Sequence, residues 1–394
     1  ILFQDQVNQV AIDVAGFSSG EADQLRRAFG RRHNKMLLDT YWQKFLQGAL
    51  GRGVVEATAR IIFNKFNGQY MFPESHAFAF GVTAYQAAWM KYCYPLEFYV
   101  AIFNQQPMGF YNLETLKEDA RRHGIAVLNP DINRSEERCT PVGATHRGCP
   151  SLLLGFLTVS GIGEAAAKDI VEARNNKGPF LSLADVMERT GLIQARVENL
   201  ISAGALDCFT SDRRAARWES GLRYRPHGRW EMGGEGWVSP LTGYQLALSL
   251  PVEQDMAELP ELTAWQRMKG EYCSMGLFPG GHIMASLRRY LKGRATSRDI
   301  LNLEDGDEVK TAGIVVRRQH PLAKAYFLTL EDEFGHISLL VWPGVYEHFK
   351  HTIREPFLII RGTVSRREGT LEVVVNSVRT KAGLSLMPKS KDWC

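Results

Sequence analysis

"DEVKTAGIVVRRQHPLAKAYFLTLEDEFGHISLLVWPGVYEHFKHTIREPFLIIRGTVSRREGTLEVVVNSVR", residues 307–379, is where the texture of the chain changes. Upstream, apolar residues recur mostly at helical spacing. Here they alternate with polar ones, the period of a half-buried strand. Five runs carry the alternation: 309–317, 325–330, 336–341, 357–364 and 370–378. One segment, 344–353, reads as helix and falls between the third and fourth runs. Five strands with a helix at that place is the order of an OB-fold. The barrel is assigned to 299–382, with 383–394 left as a C-terminal tail. Asp305–Gly306–Asp307 offers D-x-D just ahead of the first strand, and its turn position makes it a solvated loop rather than a metal site.

Working back from the barrel, residues 216–298 read as a linker and a helical connector, with an Arg-, Trp- and Gly-rich stretch of little periodicity at 210–243. Before them stands "VSGIGEAAAKDIVEAR", Val159 to Arg174. Gly161 and Gly163 bracket Ile162 in a tight turn that opens a helix. The amides at such a helix start point outward and can hold one DNA phosphate without a cationic side chain. This is a helix-hairpin-helix pattern. "VENLISAGALDCF", Val197 to Phe209, supplies a second hairpin with its turn placed at Ala203–Gly204–Ala205. From 151 to 210 there are five basic and seven acidic residues, so amide contacts are expected to outweigh a side-chain grip. The tandem unit is assigned to 134–215.

Residues 3–133 read as mostly helical. Val7, Val10, Ala11 and Val14 recur at helical spacing, Gly16 ends that helix, and Ser18 with Glu21 forms a capping box for the next. That second helix leads into a basic window with Arg26, Arg27, Arg31, Arg32 and Lys35, a set suited to phosphate oxyanions. "FPESHAFAFGVTAYQAAWMKYCYP", Phe72 to Pro95, places His76 at the mouth of an apolar helix expected to be buried. At 394 residues, with roughly 100–200 per domain, the chain accommodates two to four domains. Its net charge of +4 is too small to indicate nucleic-acid binding by itself. The six cysteines form no CxxC pair, which argues against zinc and for a reduced, cytoplasmic setting. No run of about 18 apolar residues offers a membrane span. The chain opens at Ile1 inside a running helix, so a preceding portion is expected.

The basic window and the His76 stretch change value together. "FQDQVNQVAIDVAGFSSGEADQLRRAFGRR", "FPESHAFAFGVTAYQAAWMKYCYPLEF", "VLNPDIN" and "GIGEAAAKDIVEARNNKGPF" follow one another in this chain as they do in bacterial C-family DNA polymerases. The sequence resembles the alpha subunit of DNA polymerase III from residue 3 to about 209 and again over the barrel. "PESHA", with Glu74 where replicative enzymes more often carry lysine, looks like the error-prone branch, as does the ending "MPKSKDWC".

The resemblance implies an α+β multidomain chain: a helical fingers region over 1–133, tandem helix-hairpin-helix, then OB-fold. It implies that Arg26 and Arg27 approach the incoming deoxynucleoside triphosphate and that His76 lies near its sugar. It places the Mg2+-binding carboxylates outside this chain, so that 1–394 alone is expected not to extend a primer. Implied partners are primer-template DNA and, at one remove, a sliding clamp and mutasome accessory proteins. Candidate DNA contacts are Gly161, Ile162, Gly163 and Gly204 in the hairpins and Arg317, Arg318, Arg361 and Arg366 on the barrel, beside the aromatics Tyr326, Phe327 and Trp342. The reading is error-prone translesion synthesis in DNA repair. A replicative alpha subunit and a stand-alone nucleic-acid-binding protein stay open as alternatives.

Overall fold

The computed structural model describes residues 4–30, 35–66, 73–109, 111–143, 150–224, 256–320, 325–367, 369–381 and 391–393. It divides into two compact units, 1–93 and 94–394.

The first unit is helical: α1 (Gln4–Ala15), α2 (Ser19–Gly30), α3 (Lys35–Gly51), α4 (Glu56–Asn64) and α5 (Glu74–Cys93). Val7, Ala11 and Ala15 of α1 and Ala22 and Leu25 of α2 face a core filled by Trp42, Phe45, Phe63 and Phe66. Their rings meet edge to face or tilted at 5.2–5.7 Å, arrangements that add about 0.5–1.5 kcal/mol per pair to simple burial. The Ser18–Glu21 capping box forms as the sequence predicts: the Ser18 amide donates to Glu21 Oε2 at 3.0 Å and the Glu21 amide to Ser18 Oγ at 3.4 Å. α5 forms where the apolar run predicts a helix, but none of its residues is buried. Phe78, Phe80, Tyr85, Trp89 and Tyr92 all stand exposed, because α1–α4 close their own core without it.

The second unit opens with α6 (Pro95–Asn104), α7 (Leu113–Arg122) and a small sheet of β1 (Ala126–Leu128), β2 (Thr140–Val142) and β3 (Ser151–Leu153). β3 lies between a parallel β1 and an antiparallel β2. The helices α8 (Glu164–Lys177), α9 (Leu183–Thr190), α10 (Gln194–Ala203) and α11 (Arg213–Arg223) follow. Tyr99, Phe103, Leu116, Ile125 and Ile132 share one core with Ile162, Ile170, Val186, Val197 and Leu200. Residues 94–133, assigned to the fingers on sequence, therefore pack with the hairpin helices. α11 likewise falls where a linker was expected. Asp212 caps it by accepting from the Arg214 and Ala215 amides, and Arg213 is buried against Asp207 and Glu271.

The connector α12 (Ala264–Met275), α13 (Ile283–Leu287) and α14 (Ser297–Ile300) leads to the barrel strands β4 (Glu308–Gln319), β5 (Tyr326–Glu331) and β6 (His336–Val341). After α15 (Pro343–Ile353) come β7 (Phe357–Ser365), β8 (Glu372–Arg379) and β9 (Lys391–Trp393). β4 pairs antiparallel with both β5 and β7, and the parallel β6–β8 contact, Leu339 to Val373, closes the five-stranded OB barrel. Val315, Leu328, Leu330, Leu339, Leu358 and Val375 fill it. Part of the segment assigned as a tail joins the sheet: β9 pairs in parallel with Arg317–Gln319 of β4.

α7 ties the hairpin unit to the barrel. Lys117 is 1% exposed, and its ammonium donates to Glu114, to Glu118 and to the carbonyls of Phe278 and Gly281. Two residues earlier on α7, Thr115 donates to Glu331 Oε2 at 2.8 Å, and Arg122 and His336 approach Oε1 at 3.4 and 3.3 Å. Burial raises the affinity of Glu331 for a proton. The hydrogen bond and charge of His336, aided by Thr115, outweigh burial and hold the carboxyl below the usual range.

Candidate nucleic-acid interface

The first hairpin has the geometry its glycines require. Gly161 sits at φ +81°, a conformation L side chains avoid, and Ile162 turns inward as a buried anchor. Gly163 is the N-cap of α8 and offers no side-chain cap, so the first-turn amides of α8 lack intrahelical acceptors at an exposed helix start. The turn is braced from behind. Arg196 Nε donates to the Gly161 carbonyl at 3.1 Å and Asn199 Nδ2 to the Ser160 carbonyl at 2.8 Å, while the Ser160 amide donates to Ser274. Neither Arg196 nor Asn199 carries a motif, and only their i,i+3 spacing on one helix hints that they act together.

The second hairpin is not at Ala203–Gly204–Ala205. Those residues are the buried C-terminal end of α10, where Gly204 takes φ +85° as a helix stop. A Cβ added at Gly204 would meet the Arg213 guanidinium and the Asn129 amide, so no phosphate can approach it. The turn that repeats the first hairpin is Gly191–Leu192–Ile193, between α9 and α10. Gly191 is at φ +61°, Leu192 points inward and Ile193 caps α10 without a side-chain bond. Each step matches Gly161–Ile162–Gly163. Because Arg196 in the first turn of α10 reaches Gly161, the two helix starts lie side by side.

The barrel divides its candidate residues among different surfaces. Register places Arg317 opposite Thr329, and Gln319 opposite Phe327. Phe327 in turn faces Leu340 on β6, so these residues share the outward face. Arg318 has the opposite parity, and its guanidinium donates to the carbonyls of Ile353, Arg354 and Glu355 at the end of α15. Tyr326 stacks on Tyr346 of α15 with ring centroids 3.4 Å apart, closing that end of the barrel. Arg361 stands on β7 in an ion pair with Glu308 at 2.9 Å. Arg366 holds the loop before β4 through the carbonyls of Leu301 and Leu303. Trp342 is half exposed at the start of α15.

In the first unit, Arg26 and Arg27 both pair with Asp23 on α2, at 2.6 and 2.8 Å. The hydrogen bond from Arg26 lowers the Asp23 carboxyl's affinity for a proton. His76 is exposed in the first turn of α5, its ring 4.4 Å from that of Phe80. Arg31 and Arg32 lie outside the described residues. Among the described residues no three His, Cys, Asp or Glu side chains converge on a cation site, and no helix is long and apolar enough to cross a membrane.

Three family models match the chain: the bacterial DNA polymerase III alpha subunit finger domain over 1–53, the helix-hairpin-helix motif over 124–216, and the OB-fold nucleic acid binding domain over 309–380. An error-prone DNA polymerase from Anaeromyxobacter dehalogenans is 36% identical across 98% of this chain and 34% of its own length. Another from Methylococcus capsulatus is 34% identical across the whole of this chain and 38% of its own length. The chain thus spans about a third of the length of the curated relatives it matches. Among solved structures, asparaginyl-tRNA synthetase from Pyrococcus horikoshii is 26% identical over 22% of each chain with a TM-score of 0.20, too local a likeness to carry an argument. This chain thus matches the finger domain of the bacterial DNA polymerase III alpha subunit and is similar along its whole length to part of the error-prone DNA polymerases.

Proposed function

We propose that the chain is the part of an error-prone, DNA-directed DNA polymerase that faces the nucleotide with its first unit and holds DNA with its second. Similarity over nearly the whole chain to error-prone DNA polymerases is the observation that carries this reading. Translesion synthesis in DNA repair is the role it suggests. In the hairpin unit, the adjacent starts of α8 and α10 take phosphates of duplex DNA through backbone amides, a grip without sequence preference. On the barrel, the outward face bearing Arg317, Gln319, Phe327 and Leu340 takes unpaired bases by stacking and their phosphates by charge.

On the first unit, Arg26 and Arg27 exchange Asp23 for triphosphate oxygens, and His76 borders the sugar. The described residues provide no cluster of three His, Cys, Asp or Glu side chains for Mg2+.

Two measurements test the reading. Residues 1–394 should bind duplex DNA without sequence preference. Joined to the remainder of the polymerase, with magnesium and all four nucleotides, they should support primer extension. In that enzyme Arg26→Ala and Arg27→Ala should each lower catalytic efficiency by roughly ten- to a hundredfold, the worth of a charge-assisted hydrogen bond. Unchanged kinetics in the folded double variant would remove the arginines from the nucleotide site.

A further inference from the structure

The hairpin helices carry more acid than base, yet two arginines flank the α10 start at the point where the hairpin turns converge. Arg196 is the first. Its Nε is committed to the Gly161 carbonyl, which fixes the guanidinium plane beside the turn. Arg217 is the second. It projects from α11, is 53% exposed, and its Nη2 lies 3.0 Å from Glu198 Oε2. The other oxygen of Glu198 accepts from Gln194, the first residue of α10, at 3.0 Å. Gly221 of α11 also lies against Gln194, so α11 runs alongside the start of α10.

α11 is held firmly there. Arg213 at its start is 4% exposed and bonded to both Asp207 and Glu271, and Ser220 is fully buried. It carries four arginines against one glutamate, which offsets the local excess of acid. The two guanidiniums therefore stand on either side of α10's first turn. Ile193 and Ala195 at that helix start are exposed.

We infer that Arg196 and Arg217 form a two-cation ridge that contacts backbone phosphates of duplex DNA on either side of the α10 start. Arg196 adds charge to the phosphate at the Gly161 turn. Arg217 leaves Glu198 for a second phosphate. This rests on the reading of the hairpin unit as a duplex grip. It adds to that reading side chains that neither the sequence pattern nor the family match assigns. A guanidinium suits the task because it can keep one N–H on a carbonyl while directing the others to a phosphate.

The test is a salt titration of duplex binding by residues 1–394, with circular dichroism to confirm folding. Each neutralised phosphate contributes about 0.9 to the slope of log affinity against log salt. Arg196→Gln and Arg217→Gln should each make the slope shallower by about that amount, and the double variant by about twice that. Arg196→Lys should keep the slope. Asn199→Ala removes the other brace of the turn without removing charge, and should weaken binding with the slope unchanged. Wild-type slope and affinity in the folded double variant would overturn the ridge while leaving the amide grip intact. A slope change with Asn199→Ala equal to that of Arg196→Gln would reduce Arg196 to a brace. Failure of the wild-type chain to bind duplex would instead sink the reading beneath both.

Discussion

Replacing Lys117 by Met is the sharpest perturbation of the second unit. The methionine stem fills nearly the same space, so packing is conserved and the lost charge is isolated. In the native joint the ammonium lies 2.8 Å from Glu114 and 2.5 Å from Glu118, and the two glutamates are 2% and 0% exposed. Without it, two carboxylates face one another in a dry site. Removing one partner of a buried pair costs about 3–5 kcal/mol. At about 2–4 °C per kcal/mol for a unit of this size, the melting temperature of the second unit should fall by roughly 6–20 °C. The loss should depend on pH. Burial already raises the Glu114 carboxyl above its usual range even with Lys117 present. In the variant it rises further, and a group whose folded pKa exceeds its unfolded value destabilises the fold as pH climbs between the two. The deficit should therefore be smaller at pH 5 than at pH 8, and Glu114→Gln with Glu118→Gln should recover much of it. Circular dichroism melts at both pH values decide the matter. A shift under about 2 °C at pH 8 would refute the claim that this joint is dry and tightly paired.

Gly204→Ala should destabilise the chain by about 1–3 kcal/mol, since it strains a left-handed residue against the Arg213 guanidinium, and denaturant titration would read it. Gly161→Ala should cost less stability, because its Cβ meets only the Asn199 amide at 3.3 Å, yet should weaken duplex binding more; equal effects of the two glycines on binding would contradict the assignment of Gly161 to the interface. The carboxyl of Glu331 titrates below its ordinary value of 4.5, so its contribution to stability is complete above that pH and lost as pH falls below it. Glu331→Gln should flatten the acid limb of a melting profile in that window. Phe327→Ala should reduce single-strand affinity by about 1–3 kcal/mol, measured by fluorescence anisotropy with an oligothymidine, whereas Arg318→Ala should act chiefly on stability by freeing the end of α15.

The barrel was legible because alternation is a short-range signal: each of β4 to β8 matches its expected run to within a few residues. Its contact surface was less so. The register shift between Val315 and Arg317 changes which side chains face out, and sends Arg318 to the end of the barrel while Arg317 stays on the face. The second hairpin was misplaced for a similar reason. Ala203–Gly204–Ala205 has the small residues a turn suggests, but they serve a packed helix end, whereas Gly191–Leu192–Ile193 keeps only one glycine of the first hairpin's pair. The charged face of α7 gave no sign of burial. Glu114, Lys117 and Glu118 have the spacing of an ordinary solvated helix, and only the distant carbonyls of Phe278 and Gly281 turn them inward.

The Thr115–Glu331 contact has a mechanical consequence. Glu331 ends β5, the strand that carries Phe327, while Thr115 belongs to the helix that shares its core with both hairpins. On the proposed reading, the surface for paired DNA and the surface for unpaired DNA are thereby set at one spacing, like the jaws of a locked caliper. A strand engaged at both would span that gap with a constant number of nucleotides.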